Sequence, residues 1–331
     1  MIDEKARKNP ELSVIIPVYN SRKTINQCLN AVFSSDFKEF EVIMVDDCST
    51  DDTLEMAKKY PCKVIKLKRN SGPSSARNQG ATAASAEILF FIDSDVILNS
   101  NALREVFNFY KDEKIHAAIG MYAKESANNG FFHEYMALWK YYTWMYPQAP
   151  EYFSFFIASC GSMRRKVFFE LNGFNTEYRG TDVEDYELGY RLREKYKIYF
   201  NPKIQGKHYH PDFMTCARNY YKRASLWFNL FMKQNSFDNG AASASRGVSS
   251  LIGFLIPVLI LFAIFFPLLW IAVVSLSVIF VIMNMKFYLL AFEEKGLWFM
   301  MFSIAANLIL SIFISAGVFK SIISISFLKW I

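Results

Sequence analysis

Cysteine and histidine are scarce in this sequence, which holds five cysteines and four histidines in 331 residues. The cysteines are odd in number, scattered, and never spaced as Cys-x-x-Cys. Structural zinc sites and disulfide frameworks need paired or clustered cysteines, so neither is expected, and the pattern suits a reducing compartment. The pattern Gly-x-x-x-x-Gly-Lys is also absent, which excludes a P-loop nucleotide site.

An apolar run is missing from the charged N-terminal stretch MIDEKARKNPELS, so no signal peptide is expected there. The net charge of +6 is modest, and no basic tract indicates binding to nucleic acid. The positive charge represents either an ordinary solvated surface or an attraction to anionic lipid headgroups.

Charged residues almost disappear from the last quarter of the chain. Those that remain are Lys286, Glu293, Glu294, Lys295, Lys320 and Lys329. Apolar stretches of this length predict membrane-spanning helices at about 248–266, 268–286 and 297–319, two to four spans in all. We therefore expect the chain to divide into a soluble domain over residues 1–235 and a membrane domain over residues 236–331.

Basic residues determine the expected orientation in the membrane. Four of them precede the first span, namely Lys222, Arg223, Lys233 and Arg246. The positive-inside rule then places the soluble domain on the cytoplasmic side of a multi-pass protein of the cell membrane. Lys320 and Lys329 would then lie outside, a small violation of the rule that counts against a total of three spans.

The first half of the sequence alternates strand and helix patterns. Apolar or β-branched runs predict strands at Ser13–Val18, Phe40–Val45, Lys63–Leu67 and Glu87–Ile92. Strands separated by helical segments form right-handed crossovers in a parallel sheet. The predicted fold class is α/β, with a mostly parallel, Rossmann-like sheet flanked by helices.

Polar residues follow each predicted strand, and the fourth ends in two carboxylates. In LFFIDSD, Asp93 and Asp95 point to one side because a strand repeats every two residues. An isolated Asp-x-Asp is more often a pair of turn residues. Here Pro17–Asn20, Asp46–Asp47 and Asn70–Asn78 follow neighbouring strands, where open α/β sheets bind ligands. Together these strand ends predict a nucleotide pocket.

Several blocks, in this order, resemble those of a known family. SVIIPVYN, VIMVDDCSTDDT, NSGPSSARNQG and FIDSDVIL are similar to the nucleotide-binding half of family 2 glycosyltransferases with the GT-A fold. GSMRRKVFFELNGFN and GTDVEDYELGYRL resemble the acceptor half. The resemblance covers Leu12–Leu226 and implies an enzyme that transfers sugar from a nucleotide-diphosphate sugar.

The resemblance implies roles for residues at the strand ends. Asp47 would accept a hydrogen bond from a uracil-like base, which favours a UDP-sugar, although guanine and thymine also offer N–H donors. Arg77 would reach the nucleotide or the acidic pair, and Gly72 would allow close backbone approach. The base and ribose would be lined by Pro17, Val18 and Tyr19.

The resemblance also implies a metal cofactor, Mg²⁺ or Mn²⁺. Asp95 would ligate it, with diphosphate oxygens and water filling the remaining positions. Asp93 would bind the ribose or lie just outside the metal's ligands. A histidine of KHYHP would complete the site, with His208 preferred to His210.

Glu184 and Asp185 are adjacent acids with different expected roles. Thr181 and Glu184 fit a capping box at a helix start, and Glu184 would also contact substrate. Asp185 shares a helical stripe with Leu188 and Leu192, and a carboxylate on a buried face is costly unless it is functional. The resemblance makes Asp185 the general base of the transfer.

These expectations describe a membrane-anchored, metal-dependent, inverting glycosyltransferase that acts on an acceptor hydroxyl in cell-envelope glycan or glycolipid synthesis. One alternative is a polyprenyl-phosphate glycosyltransferase, but the Leu-Gln-x-Pro-Pro-type segment of that group is replaced here by VILNSNAL. A second is a non-catalytic, sugar-nucleotide-binding membrane subunit, which would need no base. The nearly uncharged spans suit an anchor better than a transport pathway.

Residues 130–156 are unusually aromatic. Tyrosine and tryptophan favour the membrane interface, so this segment either lies on the bilayer near a lipid-linked or glycan acceptor or packs within the protein. The sugar, the acceptor, the linkage and the oligomeric state stay open.

Overall fold

The computed structural model describes residues 10–145, 149–178, 180, 183–234 and 244–328. The predicted domain boundary after residue 235 lies outside these ranges and stays a prediction.

Two compact units divide the chain. The sheet unit comprises Met1–Ala127 and Pro147–Tyr209, and the helical unit comprises Asn128–Tyr146 and His210–Ile331. Each unit is discontinuous in sequence, because the chain leaves the sheet unit at Asn128 and returns to it at Pro147. The aromatic segment is therefore shared between the two units.

Nine strands form one sheet in the described part of the sheet unit. Along the chain they are β1 (Leu12–Val18), β2 (Phe40–Asp46), β3 (Lys63–Lys66), β4 (Ile88–Ile92), β5 (Val96–Leu98), β6 (Ala117–Tyr122), β7 (Tyr152–Phe153), β8 (Cys160–Arg164) and β9 (Ile198–His208). Their order is β3-β2-β1-β4-β8-β6-β9-β5, with β7 paired to β9. Every residue of β1 and β4 is buried, as expected for strands covered on both faces.

Helices cover the sheet and build the helical unit. In the described residues they are α1 (Ile25–Phe33), α2 (Thr53–Ala57), α3 (Pro73–Ala83), α4 (Ala102–Phe109), α5 (Phe131–Met145), α6 (Arg165–Glu170), α7 (Glu184–Arg193), α8 (Phe213–Gln234), α9 (Ala244–Ala263), α10 (Leu269–Lys295) and α11 (Leu297–Leu328). The apolar face of α1, which includes Leu29 and Val32, is fully buried in the core beside β1.

The four predicted strands are confirmed, each within one residue at either end. β1 to β4 are parallel neighbours, so their carboxyl ends share one edge. The later part of the sheet is mixed, because β8 runs antiparallel to β4 and to β6. The prediction of a mostly parallel sheet thus describes the first half, and the antiparallel additions come from strands after Ile92 that the sequence patterns did not reveal.

Three helices of the described residues are long and apolar enough to cross a membrane, namely Ala244–Ala263, Leu269–Lys295 and Leu297–Ser324. The three predicted apolar spans are therefore confirmed as helices. Large apolar side chains such as Leu261 and Ile282 are exposed on them, at 65% and 63%. Such exposure is expected where lipid rather than water covers a helix.

The aromatic segment has two environments. On α5, Tyr135 and Trp139 pack edge-on against Phe287 of α10, with ring centroids 5.8 and 4.7 Å away. Beyond α5, Phe155 and Phe156 are fully buried in the sheet unit. The first part therefore packs on the apolar helices, and the second part is ordinary core.

Candidate active site

The carboxyl ends of β1, β2 and β3 lie side by side. Val18 is in register with Asp46, and Asp46 is in register with Lys66. The backbone N–H of Asp47 donates to the carbonyl of Val18 over 2.8 Å, which extends the pairing past the strand ends. Residues following these strands therefore gather at one edge, as an open α/β sheet requires of its ligand site.

Asp47 fastens the loop that follows β3. Its two carboxylate oxygens accept hydrogen bonds from the backbone N–H groups of Ser71 and Gly72 at 2.7 and 2.8 Å. Gly72 has φ +87°, a conformation that residues with a Cβ rarely adopt, and Pro73 starts α3 immediately after it. Each carboxylate oxygen has a second lone pair, so Asp47 can hold this loop and still accept a bond from a base. The base contact stays a prediction.

The end of β1 presents backbone more than side chains. Pro17 and Val18 are buried in the core, whereas Tyr19 is 48% exposed. Asn20 follows with φ +51° and accepts a hydrogen bond from the N–H of Thr50 at 2.9 Å. Of the three residues predicted to line the base and ribose, only Tyr19 has a side chain available to do so.

Arg77 is a buried cation that joins two acidic elements. One guanidinium nitrogen lies 2.8 Å from Oδ1 of Asp93, and the other lies 3.1 Å from Oε1 of Glu184. The guanidinium also stands 5.4 Å from the ring centroid of Phe174. Burial opposes its charge, but the nearby carboxylates of Asp93 and Glu184 raise the pKa of Arg77 above its ordinary value. Arg77 thus reaches the acidic pair, one of its two predicted targets.

Glu184 is buried and pairs with Arg77. The predicted capping box joins Glu184 to Thr181, which lies outside the described residues, so it stays a prediction. Helix α7 begins at Glu184, and its carboxylate lies against the Arg77 guanidinium. The ion pair offsets part of the cost of burying both charged groups.

Asp95 and His208 lie next to each other. Strands β5 and β9 are antiparallel with Val96 opposite His208, and the imidazole Nε2 lies 3.4 Å from Oδ1 of Asp95. The N–H of Tyr209 donates to the carbonyl of Asp95 over 2.9 Å, which fixes the turn. The ring of Tyr122 covers the imidazole, with centroids 4.5 Å apart.

A carboxylate and an imidazole at this distance fit the predicted metal. Within the described residues no group of three or more His, Cys, Asp or Glu side chains could hold an ion. Two protein donors suffice for Mg²⁺ or Mn²⁺ when substrate phosphates and water complete the coordination. Asp95 and His208 would hold such an ion, and it would neutralise charge on a departing diphosphate.

His210 has a different environment from His208. It belongs to the helical unit, is 2% exposed, and its backbone N–H donates to Oδ1 of Asn128 at 3.0 Å. Burial, with smaller contributions from Lys140 and His133, lowers the pKa of His210 to about 2. The structure therefore brings His208, the preferred candidate, to Asp95.

Asp185 lies at the margin of the buried stripe of α7. Leu188 and Leu192 are fully buried, whereas Asp185 is half-buried. Its Oδ1 accepts the N–H of Tyr186 at 2.9 Å, and its charge also acts on Arg77. A half-exposed carboxylate next to a buried ion pair is fixed in place and still reachable, which suits a general base.

Asn78 is a positioning residue that the sequence patterns did not single out. Its side-chain amide donates to the carbonyl of Phe174 at 2.8 Å and accepts the N–H of the same residue at 2.9 Å. These two hydrogen bonds tie α3 to the turn that carries Phe174, whose ring lies beside Arg77. The asparagine stands inside the block NSGPSSARNQG, but no local pattern links it to a residue 96 positions later.

Residues 13–171 match the family model described as glycosyl transferase family 2. The chain carries a family 2 glycosyltransferase domain. The family resemblance of the sequence blocks is thereby confirmed. The matched range contains β1 from its second residue onward, β2 to β8 and the acidic pair Asp93 and Asp95.

Several curated bacterial glycosyltransferases are similar to this domain. The poly(ribitol-phosphate) β-N-acetylglucosaminyltransferase TarS of Staphylococcus aureus strain Mu50 is 43% identical over 106 residues, which are 30% of this chain and 18% of that protein. The poly(ribitol-phosphate) β-N-acetylglucosaminyltransferase TarP of strain N315 is 35% identical over 35% of this chain and 37% of its own length. The poly(ribitol-phosphate) β-glucosyltransferase of Bacillus spizizenii is 34% identical over 33% of this chain and 19% of its length. The matches thus span well under half of these relatives.

Solved structures support the same fold. Residues 1–349 of S. aureus TarS align with a TM-score of 0.50 and 26% identity, over 66% of this chain and 64% of that one. The mannosyltransferase PcManGT of Pyrobaculum calidifontis, solved with GDP-Man and Mn²⁺, aligns with a TM-score of 0.56 and 17% identity over 95% of this chain and 88% of its own. At that identity the likeness concerns fold alone. The molecule is a GT-A domain followed by three candidate membrane helices.

Proposed function

We propose that this protein is a membrane-anchored, metal-dependent, inverting glycosyltransferase of cell-envelope glycan synthesis. It takes a sugar from a nucleotide-diphosphate sugar, with UDP-sugars favoured, and transfers it to an acceptor hydroxyl. The catalytic domain faces the cytoplasm, and the three apolar helices hold it at the membrane.

The observation that carries this proposal is that acidic and basic side chains from distant parts of the chain lie together at the strand ends. Asp95 and His208 adjoin at the strand ends, and Arg77 ties the neighbouring Asp93 to Glu184, the residue before Asp185. The residues next to the leaving-group site and to the candidate base are therefore joined by the two ion pairs of the buried Arg77. A module that only bound sugar nucleotide would need no base at Asp185.

The nucleotide lies across the strand ends, with its base toward Asp47 and its diphosphate toward Asp95. Asp185 takes the proton from the acceptor hydroxyl as the oxygen attacks the anomeric carbon on the face opposite the diphosphate. The new carbon–oxygen bond forms while the bond to the diphosphate oxygen breaks, so one displacement inverts the configuration. A bound Mg²⁺ or Mn²⁺ supplies positive charge to the departing diphosphate.

The relatives named for poly(ribitol-phosphate) make a hydroxyl-bearing phosphate polymer the first acceptor to examine. The full chain in lipid nanodiscs is incubated with UDP-N-acetylglucosamine, UDP-glucose or GDP-mannose, with and without Mn²⁺. Acceptors are ribitol-phosphate oligomers, a polyprenyl phosphate, or none, and the readouts are free nucleoside diphosphate and the anomeric configuration of the product by NMR.

We expect Mn²⁺-dependent release of UDP with the hydroxyl acceptor and a product of inverted configuration. Transfer confined to the lipid phosphate would instead identify a polyprenyl-phosphate glycosyltransferase. Absence of nucleoside diphosphate under every condition, despite binding of nucleotide, would favour the non-catalytic binding subunit and contradict the proposal.

A further inference from the structure

The helical unit buries polar side chains among apolar helices. Asn284 on α10 and Asn307 on α11 are each 7% exposed, and Ser249 on α9 and Ser311 on α11 are 7% and 6% exposed. Polar groups within membrane-spanning segments are costly unless they are paired or functional. Their presence on all three candidate spans requires an explanation beyond anchoring.

These side chains surround a small, half-open cleft with a cavity volume of about 40 Å³. The polar groups that line it include Tyr220, Arg246, Ser250, Asn284, Asn307 and Ser311. In ligand sites a few polar groups of this kind orient the ligand.

Hydrogen bonds within the unit hold the wall of the cleft in place. The Asn284 amide donates to Oγ of Ser249 over 2.8 Å, and the Tyr135 hydroxyl donates to Oδ1 of Asn307 over 2.7 Å. Oγ of Ser311 donates to the carbonyl of Asn307 over 2.8 Å. A network whose polar side chains have hydrogen-bond partners is rigid, so the cleft is formed before any ligand binds.

Two residues make the cleft suitable for an anion. The Arg246 guanidinium stands 5.5 Å from the ring centroid of Trp139, and Nη2 donates to the carbonyl of Thr143 at 3.5 Å. Tyr220 lines the same cleft, and among the described residues no hydrogen bond engages its hydroxyl. Burial raises the pKa of Tyr220 above its ordinary value, so the phenol keeps its proton and can donate it.

The cleft lies near the end that the three helices share. α9 begins, α10 ends and α11 begins at this end, and Asn307 lies about 15 Å along α11 from Leu297 at 1.5 Å per residue. The described part of the third candidate span is about 42 Å long, against a hydrocarbon core of about 30 Å. The excess length allows this end to emerge into the headgroup region. Trp139 and Tyr142, which pack on α10, are residue types typical of that region.

We propose that this cleft binds the phosphate group of a membrane lipid. Arg246 pairs with the phosphate, the Tyr220 hydroxyl donates to it, and the acyl or prenyl chains lie along the apolar surface of the spans. The inference concerns lipid binding by the helical unit and holds whether or not the sheet unit transfers sugar.

The test measures lipid bound by the full-length protein, using native mass spectrometry from a mild detergent. The probes are phosphatidic acid, phosphatidylglycerol, phosphatidylcholine and inorganic phosphate, offered separately and in competition. The variants are Arg246→Gln and Tyr220→Phe. Arg218→Gln is the matched control, because Arg218 is an exposed arginine of α8 in the same unit and does not line the cleft.

We expect the two anionic lipids to bind in preference to phosphatidylcholine, and inorganic phosphate alone to compete weakly. Arg246→Gln should lower the affinity for them about tenfold, and Tyr220→Phe about fivefold, as expected for one charged and one neutral hydrogen bond. Arg218→Gln should bind as the wild type does. If Arg246→Gln does not fold, Tyr220→Phe carries the test because it preserves the shape of the ring.

Equal binding by the two cleft variants and the wild type would overturn the proposal. Equal binding of phosphatidylcholine would overturn it too, because it would show that the lipid is held by its chains alone. Full competition by inorganic phosphate would show that the cleft binds free phosphate rather than a lipid, and would also overturn the proposal. None of these outcomes bears on sugar transfer, since no sugar nucleotide is present.

Discussion

Two pairs of acids, Asp93 with Asp95 and Glu184 with Asp185, divide their roles in the same way. In each pair the first member lies against Arg77, at 2.8 Å for Asp93 and 3.1 Å for Glu184. The second members, Asp95 and Asp185, have other neighbours. Asp95 adjoins His208, and Asp185 accepts a hydrogen bond from its own helix. The pairs come from a strand end and from a helix start, so the similarity arises from Arg77.

The division suggests how a site can place charge accurately. One acid of each pair neutralises a buried cation and joins the two elements, while its neighbour remains half-exposed at a fixed distance from it. Reactive groups need supporting groups to hold their geometry. On this view Asp93 and Glu184 are positioning residues, and Asp95 and Asp185 perform the chemistry.

The largest expected effect is that of Asp185→Asn. Removing a general base costs about 10²–10⁴-fold in turnover, while nucleotide affinity should stay nearly unchanged because the base contacts only the acceptor. The measurement is release of nucleoside diphosphate with acceptor, together with binding of the nucleotide by calorimetry. Glu194→Gln, an exposed acid at the C-cap of the same helix, is the control and should behave as wild type. Near-normal turnover of Asp185→Asn would remove Asp185 from the mechanism.

A second prediction concerns the cation that both pairs share. Arg77→Met removes the guanidinium from beside the buried Glu184 carboxylate, which should cost about 3–5 kcal/mol and lower the melting temperature by about 6–20 °C. The double variant Arg77→Met, Glu184→Met should recover more than half of that loss, because the buried carboxylate is removed with its cation and the remaining acid, Asp93, is partly exposed to solvent. Arg22→Met breaks an ion pair with Asp52 that is about two-thirds exposed on both sides, and should cost less than about 1 kcal/mol. Similar melting temperatures for Arg77→Met and Arg22→Met would show that the buried pairing does not stabilise the fold.

A smaller effect is expected from His208→Gln. Losing the imidazole beside Asp95 should weaken Mn²⁺ binding in the presence of nucleoside diphosphate by at least about tenfold, since metal sites are sensitive to ligands and to their supporting groups. The measurement is the Mn²⁺ concentration that gives half of the thermal stabilisation by UDP. His116→Gln is the control, because His116 stacks on Tyr196 away from the site. Unchanged Mn²⁺ dependence in His208→Gln would assign the imidazole to packing against Tyr122.

Much of this arrangement was predictable from sequence, and the exceptions have a physical cause. The strand ends and the acids there follow from local runs and from the common edge of parallel strands. The proximity of Asp95 to His208 depends on the antiparallel pairing of β5 with β9, and only the family resemblance suggested it. The pairing of Arg77 with Glu184 joins residues 107 positions apart, and no local pattern encodes it.

The membrane region also shows that a local sequence pattern does not predict contacts between distant segments. Its composition indicated apolar spans that serve as an anchor, and the helices agree with it. Composition averages over a span, however, and does not reveal that Asn284 and Asn307 meet at one cleft. Which polar residues converge depends on how the helices pack, and that depends on contacts between distant segments.

The smallest expected effect is a pH dependence of stability that arises from His210. Burial holds the pKa of His210 at about 2, against an ordinary value near 6.5 in the unfolded chain. Between these values the unfolded state binds a proton at residue 210 that the folded state does not, so stability falls as the pH drops below about 6.5. We expect the wild-type melting temperature in detergent to decrease between pH 7 and pH 5, and His210→Gln to decrease less over that interval, even if it starts lower. His116→Gln should keep the wild-type slope. Parallel slopes for wild type and His210→Gln would mean that this imidazole is not kept neutral by the fold.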